Sequence, residues 1–441
     1  MDFLRTLLRT AAAAAVALPL LSGCQPEVKV APSTGPSVHL GRPDDTPKGI
    51  LPYISLSTDD WMPVTSKEKY LLGSMVTEDA HSVYTGEGKT TRAVYIKGRG
   101  QSSWGQPKKP YRLKLETSAK LFGLRKDKGW VLIANYSDKS LVRNLLAARL
   151  SKILEMDWTP EMLPVDFYLN GEYLGVYNLV ENKEVAKNKV DIDLAGGDFL
   201  LDIEQSPSNP RSFKTAIAHV PVQFEEPELP SNEDFIYVQD YLNRFESVLF
   251  GDNFTDPETG YRSYIDVRSF VNNYIAQELS KNVDGNLRKS SPLTLERKRG
   301  LCLYFLWDFD LAFGNADYFE SEFPGSNAGP EGWFVREFGR EGYGTGWYPR
   351  LFQDPWFAAQ VRDRWNEVYP ALSALSDEID VLVASLKDGP ERNFAKWDIL
   401  GRYVWPNTAI TGSYAGEIAH LKQFYNARLA WMHEAINKTE E

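Results

Sequence analysis

The sequence predicts an α+β protein in which a sheet-rich part with one helix precedes a helix-rich part. Two observations predict this division. Short runs of β-branched and aromatic residues, typical of half-buried strands, concentrate before about residue 205. Apolar residues at helical spacing dominate from about residue 231 onward. About 400 residues follow an apolar N-terminal segment, which is long enough for a sizeable core.

The N-terminal segment has the three regions of an export signal. A basic start is followed by the apolar run Thr10–Leu21 and then by Ser22-Gly23-Cys24. The apolar run is shorter than a membrane-spanning helix. Leu21-Ser-Gly-Cys24 resembles the lipobox of bacterial lipoproteins, in which the cysteine is acylated, with palmitate among the expected chains, and becomes the new N-terminus. The resemblance implies a signal peptide over 1–23 and lipidation of Cys24.

The residues after Cys24 predict the subcellular location of the protein and a flexible linker to its folded part. Gln25 stands where an Asp would favour retention in the inner membrane, so we expect a lipid anchor in the outer membrane of a bacterial cell envelope. The next residues are rich in Pro, Ser and Gly, which is typical of a flexible linker. The predicted organisation is a disordered tether over 24–49, a sheet-rich part over 50–205 and a helix-rich part over 206–441.

Composition excludes several classes of function. The net charge of −11 and the pI near 5.2 argue against nucleic-acid binding, which needs a basic face. Once Cys24 carries lipid, Cys302 has no partner for a disulfide. The five histidines show no metal-ligand spacing, which argues against a zinc site. The 12 Trp residues indicate either a large aromatic core or a surface that faces carbohydrate.

Local patterns predict the elements of the sheet-rich part. Segments 50–56, 92–98 and 110–116 have the composition of strands. Val165–Val180 contains an Asn-Gly pair between two apolar runs, which predicts a hairpin with a tight turn. Apolar residues at helical spacing over Ser140–Leu154 predict one helix that packs against this sheet.

Capping residues predict the elements of the helix-rich part. Ser231 can begin a helix that runs to about Phe250, and Asp266 can begin one that continues past Leu279. Leu301–Trp307 is a continuous apolar run of strand length, which predicts a buried strand. Apolar spacing predicts further helices at 354–373, 376–387 and 414–437.

A basic, glycine-bearing turn is the first candidate for chemistry. The turn lies between two predicted strands, and its glycines allow backbone N–H groups to approach an anion. Five cations supply the positive charge that a polyphosphate requires: Arg99, Lys108, Lys109, Arg112 and Lys114. The glycine spacing matches neither a dinucleotide fold nor a Walker motif. An ordinary hairpin with a charged face stays open as an alternative.

Two carboxylates at the end of the buried run are the second candidate. Asp308 and Asp310 project to the same side and repel each other unless a cation neutralises them. Mg²⁺ held by one or two carboxylates and by substrate phosphates is a common resolution. The alternative is a pair of caps or ion-paired turn residues.

A third candidate is Asn282-Val-Asp284-Gly-Asn286, about twenty residues before the acidic pair. Kinase-like sites place a carboxylate on such a loop, where it orients the attacking hydroxyl. Taken alone, Asp-Gly is only a turn signal.

Four phrases together resemble the CotH family, whose spore-coat members have an atypical protein-kinase-like fold. The resemblance covers about residues 50–435, and the phrases occur in matching order. They are Arg99-Gly-Gln-Ser-Ser-Trp104 with Lys108-Lys-Pro-Tyr-Arg-Leu-Lys114, Trp130-Val-Leu-Ile-Ala-Asn135 with Asp138 and Arg143-Asn, Leu169-Asn-Gly-Glu-Tyr-Leu-Gly-Val-Tyr177 with Glu181, and Trp307-Asp-Phe-Asp-Leu-Ala-Phe-Gly314.

The resemblance implies a two-lobed fold that phosphorylates protein Ser or Thr hydroxyls with ATP and Mg²⁺ or Mn²⁺. The sheet-rich part would be the N-lobe and the helix-rich part the C-lobe. Each implied role falls on a numbered residue of this chain: Asp284 as the catalytic-loop Asp, Asp308, Asp310 and Asn286 at the metal, and Arg99, Lys109 or Lys114, and Glu181 toward the nucleotide and the junction of the lobes.

One position departs from the kinase pattern. Kinases place an Asn five residues beyond the catalytic Asp, whereas position 289 is lysine and the nearest amide is Asn286. Either Asn286 substitutes or a single metal binds. The first hypothesis is therefore a tethered protein kinase, and the second is a non-catalytic envelope or surface-assembly lipoprotein with the same scaffold. A third, carbohydrate cleavage by Asp308 or Asp310 with Glu181, requires a pairing across strands.

Overall fold

The computed structural model describes residues 49–285, 287–319, 326–338 and 346–438. All of them belong to one unit of the chain, Val38–Glu441. The predicted signal peptide, Cys24 and the predicted tether up to residue 48 lie outside the described residues. Among the helices that are described, none is long and apolar enough to cross a membrane.

Ten of the twelve described strands lie before residue 227. The twelve are β1 (Tyr53–Thr58), β2 (Leu71–Glu78), β3 (Thr90–Gly98), β4 (Tyr111–Ala119), β5 (Asp127–Ile133), β6 (Met162–Leu169), β7 (Glu172–Glu181), β8 (Phe199–Ile203), β9 (Ser212–Lys214), β10 (Pro221–Glu226), β11 (Ser291–Glu296) and β12 (Gly300–Cys302). The predicted strands at 50–56, 92–98 and 110–116 correspond to β1, β3 and β4.

The first seven strands form a closed barrel in the order β1-β2-β3-β4-β5-β7-β6. Neighbouring strands are antiparallel except at the closure, where β1 runs parallel to β6 with Tyr53 opposite Asp166. Alternate side chains point inward, and Ile96, Leu113 and Trp130 help to fill the interior. The predicted sheet is present, and its closure into a barrel was not predicted.

The turn between β6 and β7 confirms the predicted hairpin. Asn170 and Gly171 both have positive φ, 50° and 76°, which the Asn-Gly pair tolerates. The Asn170 side chain also accepts a hydrogen bond from the Thr58 backbone N–H at 2.9 Å. The hairpin turn is thereby fixed to the end of β1.

A second sheet, with the order β12-β11-β8-β10-β9, follows the barrel. Segment 182–198 connects β7 of the barrel to β8 of this sheet. All five residues of β8 are buried. Leu201 faces the helical core, while Leu200 packs with Val131 and Val180 on the outside of the barrel. The second sheet is therefore covered on both faces.

The described helices include two short ones, α1 (Ser102–Gly105) and α5 (Val335–Phe338), and most of the others lie after residue 231. The others are α2 (Arg143–Ile153), α3 (Asn232–Leu249), α4 (Val267–Ser280), α6 (Trp347–Leu351), α7 (Pro355–Ser385), α8 (Gly389–Lys396) and α9 (Tyr414–Asn437). The predicted caps are confirmed: Ser231 accepts from Asp234 N and Asp266 from Ser269 N.

The long helix α7 replaces two predicted helices at 354–373 and 376–387. Pro370 lies inside it and removes one backbone hydrogen bond. The buried face continues through the proline, from Trp365 and Val368 to Leu372. Packing of this continuous face holds the helix together across the proline, so the prediction of two helices was wrong.

The predicted helix over Ser140–Leu154 is present as α2, but its packing differs from the expectation. It packs mainly against α7, with smaller contacts to α4 and to β6 of the barrel. Leu145, Leu146 and Leu150 belong to the core of the helical part. An apolar helix face does not by itself specify which layer will cover it, which is why the sequence misplaced this contact.

The predicted strand over Leu301–Trp307 is shorter than expected. Pairing with β11 ends at Cys302, which is buried and has a free thiol. Beyond it the Leu303 backbone N–H donates to Ser269 Oγ at 3.1 Å, so α4 replaces the strand partner. The run stays buried as far as Trp307. The expected burial is confirmed, and the expected strand length was wrong.

The architecture confirms an α+β fold whose first part is rich in sheet and whose second part is rich in helix. The second sheet lies between these parts, and β11 and β12 reach it from the helical half of the chain. The buried run after β12 therefore emerges close to the outside of the barrel, with Phe305 and Trp307 packed beside Val131.

Candidate functional site

The acidic pair stands at the end of this buried run. Phe309 is 1% exposed and anchors the pair, because its backbone N–H donates to Asn144 Oδ1 at 2.9 Å. Asp308, on one side of it, is exposed and has φ 66°, a left-handed conformation. Asp310, on the other side, is half-buried. A non-glycine residue at positive φ is uncommon, and such strain concentrates at functional sites.

Asp310 lies among other carboxylates. Burial raises its pKa well above the usual range, and the negative charges of Asp308, Asp138 and Asp284 raise it further. The Ser137 hydroxyl, which donates to Asp310 Oδ2 at 3.3 Å, and the nearby charge of Arg99 oppose the shift. The position is therefore one where a cation would be strongly favoured.

Asp308 faces the loop that carries the third sequence candidate. Ser290 Oγ donates to Asp308 Oδ2 at 3.3 Å, and Asn282 Nδ2 donates to the Asp308 carbonyl at 3.4 Å. The loop over 282–290 thus lies directly beside the acidic pair. The fold brings together two candidates that are about twenty residues apart in the sequence.

Asp284 is the titratable group of that loop. Tyr318 OH donates to its Oδ1 at 3.1 Å, and Arg288 and Lys289 each lie 3.9 Å from the same oxygen. Burial raises the pKa of Asp284 and Asp308 adds to this, while the two cations and the tyrosine oppose it. The carboxylate is thus held between a neighbouring acid and two bases.

The remaining predicted metal ligand, Asn286, lies outside the described residues. In the described part of the chain, no group of three or more His, Cys, Asp or Glu residues is arranged to hold a metal ion. The protein donors near the pair are thus two carboxylates with a hydroxyl on each side. This is a partial set, of the kind that Mg²⁺ completes with phosphate oxygens and water.

Arg99 supplies positive charge opposite the acidic pair. Burial lowers the pKa of its guanidinium, and the nearby positive charge of Arg112 lowers it further. The negative charges of Asp308 and Asp310 raise it. An arginine stays charged under such a shift. Arg99 lies on the predicted basic turn, and Gln101 of the same turn donates to the Ser206 carbonyl at 2.9 Å. The turn therefore reaches from the barrel to the second sheet.

The other two predicted phosphate ligands are placed differently. Lys109 donates to the Trp104 carbonyl at 2.6 Å and lies 5.3 Å from the Trp104 ring centre. Lys114 is exposed on β4 between Tyr95 and Gly129. Neither has a described contact with the acidic pair. Arg112, two residues before Lys114 on the same face of β4, is the strand cation that lies near Arg99.

Lys108, a further cation of the turn, is buried and binds groups within the protein. It is 1% exposed and donates to the Val176 carbonyl at 2.6 Å and to Asn393 Oδ1 at 2.8 Å. Burial lowers its pKa well below the usual lysine value. Lys108 therefore fixes the barrel to α8.

Glu181 is completely buried at the end of β7. Arg125 donates to both of its oxygens, at 2.8 and 2.5 Å, and the Glu161 backbone N–H donates at 2.8 Å. Both oxygens are engaged, which leaves little capacity for the paired-carboxylate chemistry considered as the third hypothesis. The residue braces the barrel close to segment 182–198.

The buried ion pair of Asp138 and Arg143 has no role predicted from the sequence. Both side chains are 0% exposed, and Arg143 Nη1 lies 2.7 Å from Asp138 Oδ1. Arg143 also donates to the carbonyls of Ala312 and Phe313, at 3.0 and 3.4 Å. The pair therefore holds the residues that follow the acidic pair. The five-residue spacing of Asp and Arg was the available signal.

Comparison with known families gives the class of the protein. The family model described as CotH kinase protein matches residues 96–432, which is most of the chain and includes all four phrases quoted above. The chain belongs to the CotH kinase family. The resemblance predicted from those phrases is confirmed. No curated protein matches the chain.

Proposed function

We propose that this protein transfers the γ-phosphoryl group of ATP to Ser or Thr hydroxyls of a protein acceptor. One observation carries the proposal. Asp308 and Asp310 lie close to Asp284, and Arg99 of the basic turn lies close to the same two carboxylates. Phosphoryl transfer depends mainly on positioning and on neutralising charge, so this arrangement suits it. Membership of the CotH kinase family supports the same reaction class.

A divalent metal and ATP fit the residues at this site. The high pKa of Asp310 and its clustering with Asp308 describe a site where a bound cation would stabilise the charged carboxylates. Asp308 and Asp310 would hold Mg²⁺ or Mn²⁺, which binds well to a pair of carboxylates together with phosphate oxygens. When bound, the metal would offset the negative charge of the phosphates. Asn286, which lies outside the described residues, stays a predicted ligand.

The residues around the metal then have separate roles. Arg99 contacts the phosphates, since its guanidinium offers paired donors to phosphate oxygens. Asp284 accepts the proton of the acceptor hydroxyl. Ser137 and Ser290 orient the two metal-binding carboxylates through their hydroxyl donors.

The proposal also covers the two-lobed arrangement. The barrel would act as the N-lobe, and the second sheet with the helices as the C-lobe, with the nucleotide between them. The basic turn supports this, because it contacts the second sheet through Gln101 and Ser206. The seven-stranded barrel is an unusual N-lobe, so the comparison with kinases rests on the site more than on the sheet.

We place this activity outside the cytoplasm, on a lipid anchor at Cys24 in the outer membrane. The sequence pattern over 1–24 supports this location. Mass spectrometry of the membrane-extracted protein tests it. We expect a mature chain that begins at an acylated Cys24, and an unmodified chain that keeps residues 1–23 would contradict the anchor.

Phosphotransfer is tested with labelled ATP, Mn²⁺ and a Ser-rich protein acceptor. We expect incorporation by the parent protein and at least a thousandfold less by Asp308→Ala, because the metal loses a ligand. Lys120→Ala, an exposed lysine without a described contact, serves as the matched control and should label like the parent. Equal labelling by Asp308→Ala and the parent would exclude the proposed site.

A non-catalytic scaffold is the second candidate. One observation favours it: Lys289 and Arg288 lie 3.9 Å from the Asp284 carboxylate, where they partly neutralise the proposed base. Thermal unfolding with ATP and Mn²⁺ separates the two candidates. A nucleotide that binds the folded protein raises Tm, so a metal-dependent rise supports the enzyme and an unchanged Tm supports the scaffold.

A further inference from the structure

A polar cavity of about 530 Å³ lies apart from the candidate site. Its wall shares no residue with the acidic pair, the Asp284 loop or the basic turn. Trp158 and Tyr304 form the inner part of the wall and are 3% and 5% exposed. The volume is in the range of small-molecule sites, but the lining is mostly polar, which selects a polar ligand.

The cavity lies where the barrel connects to the second sheet. Segment 182–198 contributes Lys187 and Asp191 to its wall, the barrel contributes Arg125, and the end of α2 contributes Lys152. Tyr304 belongs to the buried run that leads to the acidic pair. An occupant would therefore contact the loops that precede β5 and β6, the connecting segment and the run that follows β12.

The charges in the wall fall into two sets. Several are already paired: Arg125 with Glu181 and Glu161, Lys189 with Glu184 at 2.9 Å, and Asp157 with Arg299 at 3.0 Å. Lys152, Lys187 and Asp191 have no ion-pair or hydrogen-bond partner for their side chains within the described parts of the chain. Two cations and one carboxylate thus face the same space with their full binding capacity unused.

Further donors add to this capacity. Arg125 uses Nε and Nη2 for Glu181, and its Nη1 has no partner among the described residues. The hydroxyl of Tyr304 accepts from the Asp191 backbone N–H at 3.2 Å, which leaves its proton to donate. Among the charged side chains of the wall that have no described partner, the two lysines outnumber the one carboxylate, which suits an oxyanion.

We infer that this cavity is a second ligand site, which takes a small zwitterion that carries an oxyanion and an ammonium group. The oxyanion, a carboxylate or a phosphomonoester, binds Lys152 and Lys187, and the ammonium group binds Asp191. The inference stands independently of phosphotransfer, since no residue of the acidic pair contributes to the cavity.

Calorimetric titration of the full chain with O-phospho-L-serine and with L-glutamate tests the site, in the absence of nucleotide. The two probes share the ammonium group and distinguish a phosphoryl from a carboxylate oxyanion. We expect at least one of them to bind. The double variant Lys152→Ala with Lys187→Ala should weaken that binding at least tenfold, as expected for loss of charge-assisted hydrogen bonds. Lys120→Ala, the exposed control, should bind like the parent.

A second comparison tests the ammonium contact. Asp191→Asn should weaken the amino-acid probe about tenfold and leave its N-acetyl derivative unchanged, because the derivative has no ammonium group. Asp308→Ala should bind both probes like the parent, which separates this site from the proposed kinase site. Failure of both probes to bind at about 10 mM, a limit far weaker than ordinary ligand affinities, overturns the inference. So does equal binding by the parent and the double lysine variant.

Discussion

Two groups of charges in this protein differ in how completely their hydrogen-bonding capacity is used. Glu278 and Arg428 form an ion pair with both side chains 0% exposed and 2.5 Å between Oε1 and Nη2. Asp308 and Asp310, by contrast, have described hydrogen bonds to their carboxylates only from two serine hydroxyls, both at 3.3 Å. The first group is closed within the protein, and the second has capacity left for a ligand.

The closed pair is saturated on both sides. Glu278 accepts from the backbone N–H groups of Phe334 and Val335, at 2.7 and 2.9 Å. Arg428 donates to the carbonyls of Pro330 and Gly332, at 2.8 and 2.6 Å. The pair therefore fixes the segment that begins α5 to both α4 and α9. Charged groups whose hydrogen bonds are all made within the protein therefore hold segments of the chain together. Charged groups with unused hydrogen-bonding capacity mark where a ligand binds.

The largest expected effect is on the closed pair. Arg428→Met leaves the Glu278 carboxylate buried without its cation, so we expect a loss of about 3 to 5 kcal/mol in the free energy of unfolding. Chemical denaturation at pH 7 measures this loss. The double variant with Glu278→Leu should lose less, because no charge is then left unpaired. A loss below about 1 kcal/mol for Arg428→Met, the size of an exposed pair, would remove the contrast.

A smaller effect is expected at the open site. Arg99→Gln should lower kcat/KM for ATP about 10- to 100-fold, since a charge-assisted contact with phosphate is lost. Its free energy of unfolding should change little, because Asp308 is exposed and Asp310 is only half-buried. Lys109→Gln is the matched control on the same turn and should keep most of its activity. Equal losses for both variants would assign phosphate binding to the whole turn.

Lys281 gives a pH-dependent test of the closed region. Burial and the nearby Arg428 lower its pKa to about 7, whereas an unfolded lysine has a pKa of about 10.4. Between these values the unfolded chain binds more protons, so stability rises with pH by up to about 1.4 kcal/mol per unit. We expect this rise in denaturation of the parent from pH 7 to 9, relative to Lys281→Met. A constant difference between the two proteins would contradict it.

The smallest expected effect is at an exposed ion pair on the same helix as Arg428. Lys422 and Asp380 lie 2.6 Å apart, almost as close as the buried pair, but their side chains are 29% and 64% exposed. Lys422→Ala should cost less than about 1 kcal/mol, and added salt should reduce the cost further. A loss that matches Arg428→Met would mean that distance, and not burial, sets the value of these pairs.

Sequence signals within a few residues were sufficient to predict the helix caps and the tight turn. Asp266 and Ser231 cap their helices as predicted, and the Asn170-Gly171 turn has the backbone that its residues favour. The closure of the barrel was not predictable in this way. It depends on the parallel pairing of β1 with β6, which joins residues more than a hundred positions apart. No short turn connects these two strands, so no local sequence signal predicts their pairing.

The candidate site also has a part that the sequence predicts and a part that it does not. Asp284, Asp308 and Asp310 stand out in the sequence because clustered acids next to apolar runs are unusual. The surroundings that tune them were not visible there. Tyr318, whose hydroxyl bonds Asp284, comes from a distant segment, and Arg112 lies near Arg99 only because β3 and β4 pair side by side. Such contacts follow from tertiary packing, which residue spacing does not encode.

The closed barrel bears on how the protein behaves in crowded solution. A closed barrel offers no unpaired strand edge, and the second sheet ends on β9 and β12, each only three residues long. In the part of the chain described, intermolecular β-pairing therefore finds little template. We expect the folded protein to remain dispersed at high concentration, and to aggregate only after the barrel opens.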